Sequence, residues 1–552
     1  MRASKWAART AVGMVAGLLI AGMAIAAGTG SAPAGLRIAK IGGYQSSGGV
    51  GASEIPAYDR LTKRAFVVNG ALATVEVLDL SDPTQPALLA SLSTASFGPG
   101  LGGANSVAVS HGLVALAIEA LPKTRPGLVA LLDSRTLALV ATVEVGALPD
   151  MLVFTPDGRT LLVANEGEPA AYNTGNAADD PEGSISIVDL RQPHAPRVRT
   201  ADFRAWDGRK AELQAAGVRI FGPGASVSQD LEPEYIAVSD DGATAWVTLQ
   251  ENNAIAQVDV TLGKVVAIRP LGSKDFNIAG FGLDASDEDG GTDTNSGSPV
   301  ARIVPQPVRG LYLPDTIASY RAWGNTFLIT ANEGDARADW PGFNEETRVR
   351  EHCAAGGLDP AVFGPNAARL LFDSNLGRLR ITNTPNGGYA GRNAQGQCEA
   401  LYAFGARSIT IWTDDGQRIW DSGDTLERVT LAASQASGGA FAFNASHDNN
   451  TLDGRSPTKG PEPEGIALGT IGASTYAFVG LERVGGVAVF DVTNPFSARF
   501  VSYLNTRNGL GGDRGPEGLA FVSAKQSPNG KPLLIVGHEV SGSTAIFQID
   551  VE

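Results

Sequence analysis

The sequence predicts an all-β protein, a seven-bladed β-propeller with long loops on one face and an N-terminal strand closing the last blade. Three observations predict it. One order of strands recurs seven times along the chain. The composition, with 68 Gly and 31 Pro among 552 residues, suits many short strands joined by tight turns. Within each unit the apolar residues alternate, as half-buried strands require.

Each unit opens on a proline or small residue, then an acid or Asn, then a strand. These openings are "SEIPAY" at 53, "ANSVAV" at 104, "PDMLVF" at 149, "PEYIAV" at 233, "PDTIAS" at 314, "PEGIAL" at 463 and "PEGLAF" at 516. Second strands such as "TLLVANE" at 160 and "TFLITANE" at 326 follow after tight turns such as "TPDGRT" and "SDDGAT", where Asp and Gly supply the backbone angles. Third strands often end in V-x-D, as in "GVAVFDV" at 486. The blades fall near 53–93, 104–145, 149–203, 233–271, 314–422, 463–504 and 516–552, within one domain over 27–552. A set of β-sandwiches also uses alternating strands, but explains the seven-fold recurrence less well.

The N-terminus, "MRASKWAARTAVGMVAGLLIAGMAIAAG", has a basic start, an apolar run and a small-x-small site at Ala24-Ile25-Ala26. That pattern reads as a signal peptide over 1–26, so the mature protein is expected to be exported, to the periplasm or the medium. No later stretch is apolar enough to span a bilayer. "LRIAKIGGYQ" at 36 has no blade of its own and is expected to form the outer strand of the last one, removing an open edge. Long insertions at 167–183, 204–232, 272–313, 334–406 and 423–461 lie after a second strand or between blades, and both connections emerge on one face.

The register places two sets of carboxylates near that face. The acid before the first strand recurs as Glu54, Asp150, Glu234, Asp315, Glu464 and Glu517, with Asn105 as the exception. A second set ends the second strand as Glu119, Glu166, Glu251, Glu333, Glu482 and Glu539, with Asn69 in the first blade. First strands line the channel of a propeller, so the two sets form an acidic funnel. Two unit charges 4 Å apart repel by about 4 kcal/mol at an effective dielectric near 20. Protonation, arginine partners or divalent cations must offset this, and Ca2+ accepts six to eight oxygen ligands. The competing reading is that each acid accepts backbone N–H groups at a turn.

The near-copies "ANEGEP" and "ANEGDAR" pair Glu166 with Glu168 and Glu333 with Asp335 around a glycine, a spacing that suits chelation. Glu166, Glu168, Glu234, Glu333, Asp335, Glu464, Glu482, Glu517 and Glu539 are therefore the candidate metal ligands. Ca2+ is the expected ion, with room for a second divalent metal. "DASDEDGGTDTN" offers Asp284, Asp287, Asp289, Asp293 and Asn295, resembling the oxygen-rich part of a calcium loop without its terminal Glu. A solvated acidic loop explains it equally well. "NASHDNN" offers His447 beside Asp448. Arg337, Arg455, Lys459, Arg483 and Arg514 lie beside these acids, as ion-pair partners or as a clamp for phosphate.

The formal net charge of −15 argues against nucleic acid or an anionic membrane as partner. In an exported chain the two cysteines, Cys353 and Cys398, are expected to form a disulfide. No G-x-S-x-G or P-loop occurs, so serine-hydrolase and nucleotide chemistry lack a motif.

"ANEGDAR" (331–337), "RSPTKGPEPEG" (455–465), "GLERVGGVAVFDVTNP" (480–495) and the stretch from "PEGLAF" to "TAIFQI" (516–549) resemble the choice-of-anchor I family of exported bacterial propeller proteins. The resemblance runs over nearly the whole mature chain. It implies export, a propeller and phosphoester hydrolysis of alkaline-phosphatase type; for such hydrolysis of a small phosphoester the residues read above offer Arg337, Arg483 and His447 as candidate catalytic groups beside the metals. The alternative is a calcium-stabilised, non-catalytic module, expected to be a monomer, that binds a surface glycan or protein. No sortase motif or appended domain follows the last strand, so anchoring in the family's manner is not expected.

Overall fold

A computed structural model describes residues 35–551, apart from 173, 175, 293, 294, 339 and 385–390. The expected leader at 1–26 and Asp293 therefore lie outside the described residues.

Seven sheets of four antiparallel strands succeed one another along the chain. Their first strands are Pro56–Asp59, Leu101–Ser110, Pro149–Phe154, Pro233–Val238, Ile317–Ala322, Pro463–Ile471 and Pro516–Val522. In the first six sheets the strands are hydrogen-bonded in chain order. The seventh has three strands from the C-terminal end and takes its outer strand from Leu36–Gln45, which pairs antiparallel with Ser543–Val551. The alternation in that N-terminal strand explains its placement. Ile38 packs on the apolar cluster between the sixth and seventh sheets, while Ile41 and Tyr44 pack on the one between the seventh and first.

Each neighbouring pair of sheets shares an apolar cluster. Phe66 and Val77 meet Val107 and Leu116 between the first and second sheets, and Ile329 and Ile411 meet Ile466 and Val479 between the fifth and sixth. Ala65 and Val67 of the first sheet pack against Val522, Leu533 and Ile535 of the seventh, which closes the ring of sheets. First strands touch first strands all the way round. Residues just before them are thereby drawn towards one axis.

The insertions hold more order than the loops the sequence suggested. Segments from 272–313 and 334–406 build a further five-stranded sheet from Ser273–Asp275, Arg309–Leu311, Tyr402–Ala403, Arg380–Thr382 and Glu346–Arg348. Cys353 and Cys398 are joined by a disulfide inside the apolar cluster that this sheet covers. The Leu and Ile residues of that cluster follow no period along the chain, so only their collapse onto one another reveals it. The insertion at 423–461 carries a helix, Thr425–Ala436, that buries Leu426, Glu427 and Thr430. Among the described residues no helix is long and apolar enough to cross a membrane.

Candidate metal centre at the mouth of the ring

The recurring Pro-acid pair sits at a β-bulge. In four sheets the register slips between the proline and the third residue beyond it, at Pro149/Leu152, Pro233/Ile236, Pro463/Ile466 and Pro516/Leu519. Two residues there face one on the second strand, so the first of the two, the acid, is re-aimed out of the ladder. The glycine in "PEG" has its own cause. A Cβ on Gly465 would lie 1.9 Å from the carbonyl oxygen of Glu517, so the next sheet's acid approaches too closely for any side chain.

Repeated round the ring, this geometry encloses a cavity of about 250 Å³. Asp150, Glu234, Asp315, Glu464 and Glu517 reach it from within or just before first strands, and Asn105 from a sixth place of the seven. Glu166, Glu251 and Glu333 reach it from the ends of second strands, and Glu168 and Asp335 complete the lining carboxylates. Glu54, Glu482 and Glu539 flank the cavity without lining it. Glu119 turns back to its own sheet, where it accepts the Gly103 N–H at 3.3 Å.

One oxygen each from Asp150, Glu166 and Glu234 lie within 4.8 Å of one another. Among the described residues, none of these three carboxylates has a basic partner in ion-pair contact. The consequence is electrostatic. Burial, then repulsion from Glu168, pushes the Asp150 carboxyl up to about 7. Burial, then Glu166 and Glu251, holds Glu234 well above the carboxylate range. Glu166, Asp315, Glu464 and Glu517 are held well above it too, first by burial and then by one another and their neighbours. Glu54 is pushed up to about 8 by burial, Glu539 and Asp150, and Glu251 to about 7 by burial above all. Buried oxygens of Glu251, Glu464 and Glu517 have no hydrogen-bond partner. An acidic site with partnerless oxygens is compensated by protons or by cations.

A second triad, Glu333, Glu462 and Glu482, also gathers its oxygens within 4.8 Å, but it is already neutralised. Lys459 Nζ donates to Glu333 and Asp335, each at 2.9 Å. Arg455 grips Glu462 through two bonds of 2.7 and 2.9 Å. Arg483 reaches Glu462 at 3.2 Å and Glu482 at 3.0 Å. Burial alone would raise Glu462, but Arg455, Lys459 and Arg483 outweigh it and hold the carboxyl down to about 2. Three cations among these acids make an ion-pair network rather than a metal seat.

The candidate catalytic groups are distributed unequally. Arg483 contacts His447, whose Nδ1 lies 3.3 Å from Glu482, so these two stay together beside Glu482, outside the residues that line the cavity. Arg337 is drawn away from the cavity. It is 2 % exposed and its guanidinium is committed to Asp230 and Glu232. Glu168 forms an ion pair with Lys123. His538 is buried outside the cavity, where burial holds its imidazole down to about 4 and hence neutral.

Sequence reasoning passed over Glu462, Asp230, Glu232 and Gln250. Gln250 donates to Glu333 at 2.8 Å and lines the cavity. Glu462 stands one residue before the recurring Pro-Glu pair, and its positive φ of 51° marks an unusual backbone position. That doubled "PEPE" was the one available signal; nothing local distinguishes the other three.

The choice-of-anchor I domain matches residues 54–495 of this chain. The chain belongs to the choice-of-anchor I family. It is 26% identical over 194 residues to Gigasin-3a of Magallana gigas, covering 33% of this chain and 66% of that protein. It is 29% identical over 292 residues to Mesenchyme-specific cell surface glycoprotein of Strongylocentrotus purpuratus, covering 48% of this chain and 35% of that one. The chain thus spans less than two thirds of the length of either curated relative. Among solved structures, hydrazine synthase of Kuenenia stuttgartiensis matches with a TM-score of 0.45 and 13% identity, over 92% of this chain and 98% of that one. The Cps50 (Swd1) β-propeller domain of Myceliophteria thermophila matches with a TM-score of 0.42 and 9% identity, over 93% and 99%.

Proposed function

We propose that this family member is an exported seven-bladed β-propeller that binds divalent cations, calcium foremost, in the acidic mouth of its ring, and that it works as a calcium-braced binding module. The carrying observation is the Asp150, Glu166 and Glu234 triad, whose oxygens converge within 4.8 Å. An all-oxygen set of carboxylates suits a hard cation with flexible coordination better than a transition metal. Asp315, Glu464 and Glu517 line the same cavity and supply further ligands or a second ion. The cation replaces protons on groups that burial and mutual repulsion otherwise keep neutral, and so ties several sheets to one centre. Likeness to a protein named as a cell surface glycoprotein supports export.

A second reading, metal-assisted phosphoester hydrolysis, is favoured by Arg483 and His447 held together beside Glu482. In it the metals activate water and Arg483 holds the phosphate.

Elemental analysis and melting curves of the mature protein test the first reading. Calcium at a hundredfold excess over its Kd stabilises by about 2.7 kcal/mol, and Glu234→Gln removes most of that gain. Absence of bound divalent metal together with a calcium-independent melting temperature overturns it. Turnover of a generic phosphomonoester that needs calcium and is lost in Glu234→Gln selects the second reading over the first.

A further inference from the structure

Outside the cavity, a second group of acidic side chains is buried where three inserted segments meet. Asp284 comes from the 272–313 insertion, and Glu427, Asn444 and Asp453 from the 423–461 insertion. Arg407 follows the five-stranded sheet. Asp284 and Glu427 are each 1 % exposed, and Asn444 and Asp453 are 0 % exposed. None of these residues lines the funnel.

The hydrogen bonds show what is left over. Asp284 accepts the backbone N–H of Arg302 at 2.6 Å and that of Ser286 at 3.4 Å. Glu427 accepts the Asp284 N–H at 3.1 Å and the Arg407 guanidinium at 2.6 Å. The Asn444 amide nitrogen donates to Ser456 at 2.9 Å and to Glu427 at 3.3 Å, which fixes the amide's orientation. Its oxygen, Asn444 Oδ1, has no partner, and neither has Asp453 Oδ2. Arg407 is ion-paired with Glu427, while Asp284 and Asp453, with Asp289 near them, have no ion-pair partner among the described residues, so negative charge is in excess. After burial, Asp453 is the neighbour that most raises the Asp284 carboxyl, so the two carboxylates face each other. Asp289 adds to the repulsion on both.

We infer that Asp284, Asp453 and Asn444, with Glu427 behind them, form a second divalent-cation site, calcium by its oxygen set, which clamps the inserted segments to one another. A divalent ion offsets the excess negative charge and gives both orphaned oxygens a partner. Asn444 has a positive φ of 44°, so the chain adopts an uncommon conformation at the residue that presents the amide oxygen. The site shares no ligand with the funnel and stands or falls independently of it.

The test uses the full mature chain with calcium as the only added metal, in a Glu234→Gln background that reduces the funnel's contribution and is common to both proteins compared. Calcium content is measured with and without Asp453→Asn, and backbone hydrogen exchange across 284–302 and 444–456 is followed in calcium and in chelator. The expected result is loss of about one equivalent of calcium on Asp453→Asn and exchange at least about tenfold slower in calcium. Equal calcium content in the two proteins overturns the proposal in favour of a proton shared between Asp284 and Asp453. Should Asp453→Asn fail to fold, the exchange measurement decides alone, and calcium-independent exchange in both segments overturns the site.

Discussion

A guanidinium keeps its charge at every accessible pH, so burying Arg337 demands anions around it. Asp230 and Glu232 supply them, and the Arg337 guanidinium also lies 4.7 Å from the Phe221 ring centroid. Replacing it by alanine strands two buried carboxylates, which costs about 3–5 kcal/mol. Urea unfolding of Arg337→Ala is expected to show that loss, whereas a phosphate clamp open to solvent would leave stability nearly unchanged. Charge type and proximity in sequence singled out Arg337 as a candidate, but its partners lie more than 100 residues away, at separations of 107 and 105. Glu119 teaches the same lesson. It occupies the register position of Glu166 and Glu333, yet hydrogen-bonds within its own sheet because Gly102 and Gly103 leave it room.

At the scale of the strand, the bulge explains the recurrence of proline, acid and glycine. Pro cannot donate to a ladder, the bulge aims the acid at the axis, and glycine admits the neighbouring backbone. Gly465→Ala is expected to cost about 1–3 kcal/mol and to weaken calcium binding by displacing Glu517. Gly208, with nothing within 4 Å of an added Cβ, is the control, and Gly208→Ala is expected within about 0.5 kcal/mol of the parent. Thermal melts of the two variants in calcium and in chelator separate packing from ligation. Equal losses at both positions would contradict the close-approach argument. The strand order and the Pro-acid positions were legible because each unit repeats them. The five-stranded sheet and the helix Thr425–Ala436 were not, because each lies in an insertion that occurs once and carries no period to compare.

For the molecule as a whole, opposing titrations shape stability. Glu54, Asp150 and Glu251 titrate near 8, 7 and 7 when folded, against about 4 in an unfolded chain. The folded, metal-free protein therefore holds protons that the unfolded chain releases, and its stability falls as pH rises from about 4 to about 8. Glu462, held down to about 2, acts in the other direction, giving stability that is lost as pH falls below about 4.5 towards 2. Melting temperatures in chelator are expected to be highest near pH 4 and to decline towards pH 8. If the proposed calcium binding holds, the ion displaces these protons, and it is expected to flatten the alkaline side and to bind more tightly as pH rises. A metal-free protein that gains stability from pH 5 to 8 would contradict this balance.

What the sequence determined by itself is what repetition and alternation encode: the all-β class, the four-stranded unit, the N-terminal strand on the last sheet and the acids that recur before first strands. These are local patterns, because a strand's faces are set by neighbours two residues apart. Which acids remain uncompensated was decided only by the tertiary structure. Lys459 reaches Glu333 across 126 residues, while Asp150, Glu166 and Glu234 converge without a basic ion-pair partner among the described residues. Charge balance inside a closed ring depends on three-dimensional distance, and a linear reading cannot carry it.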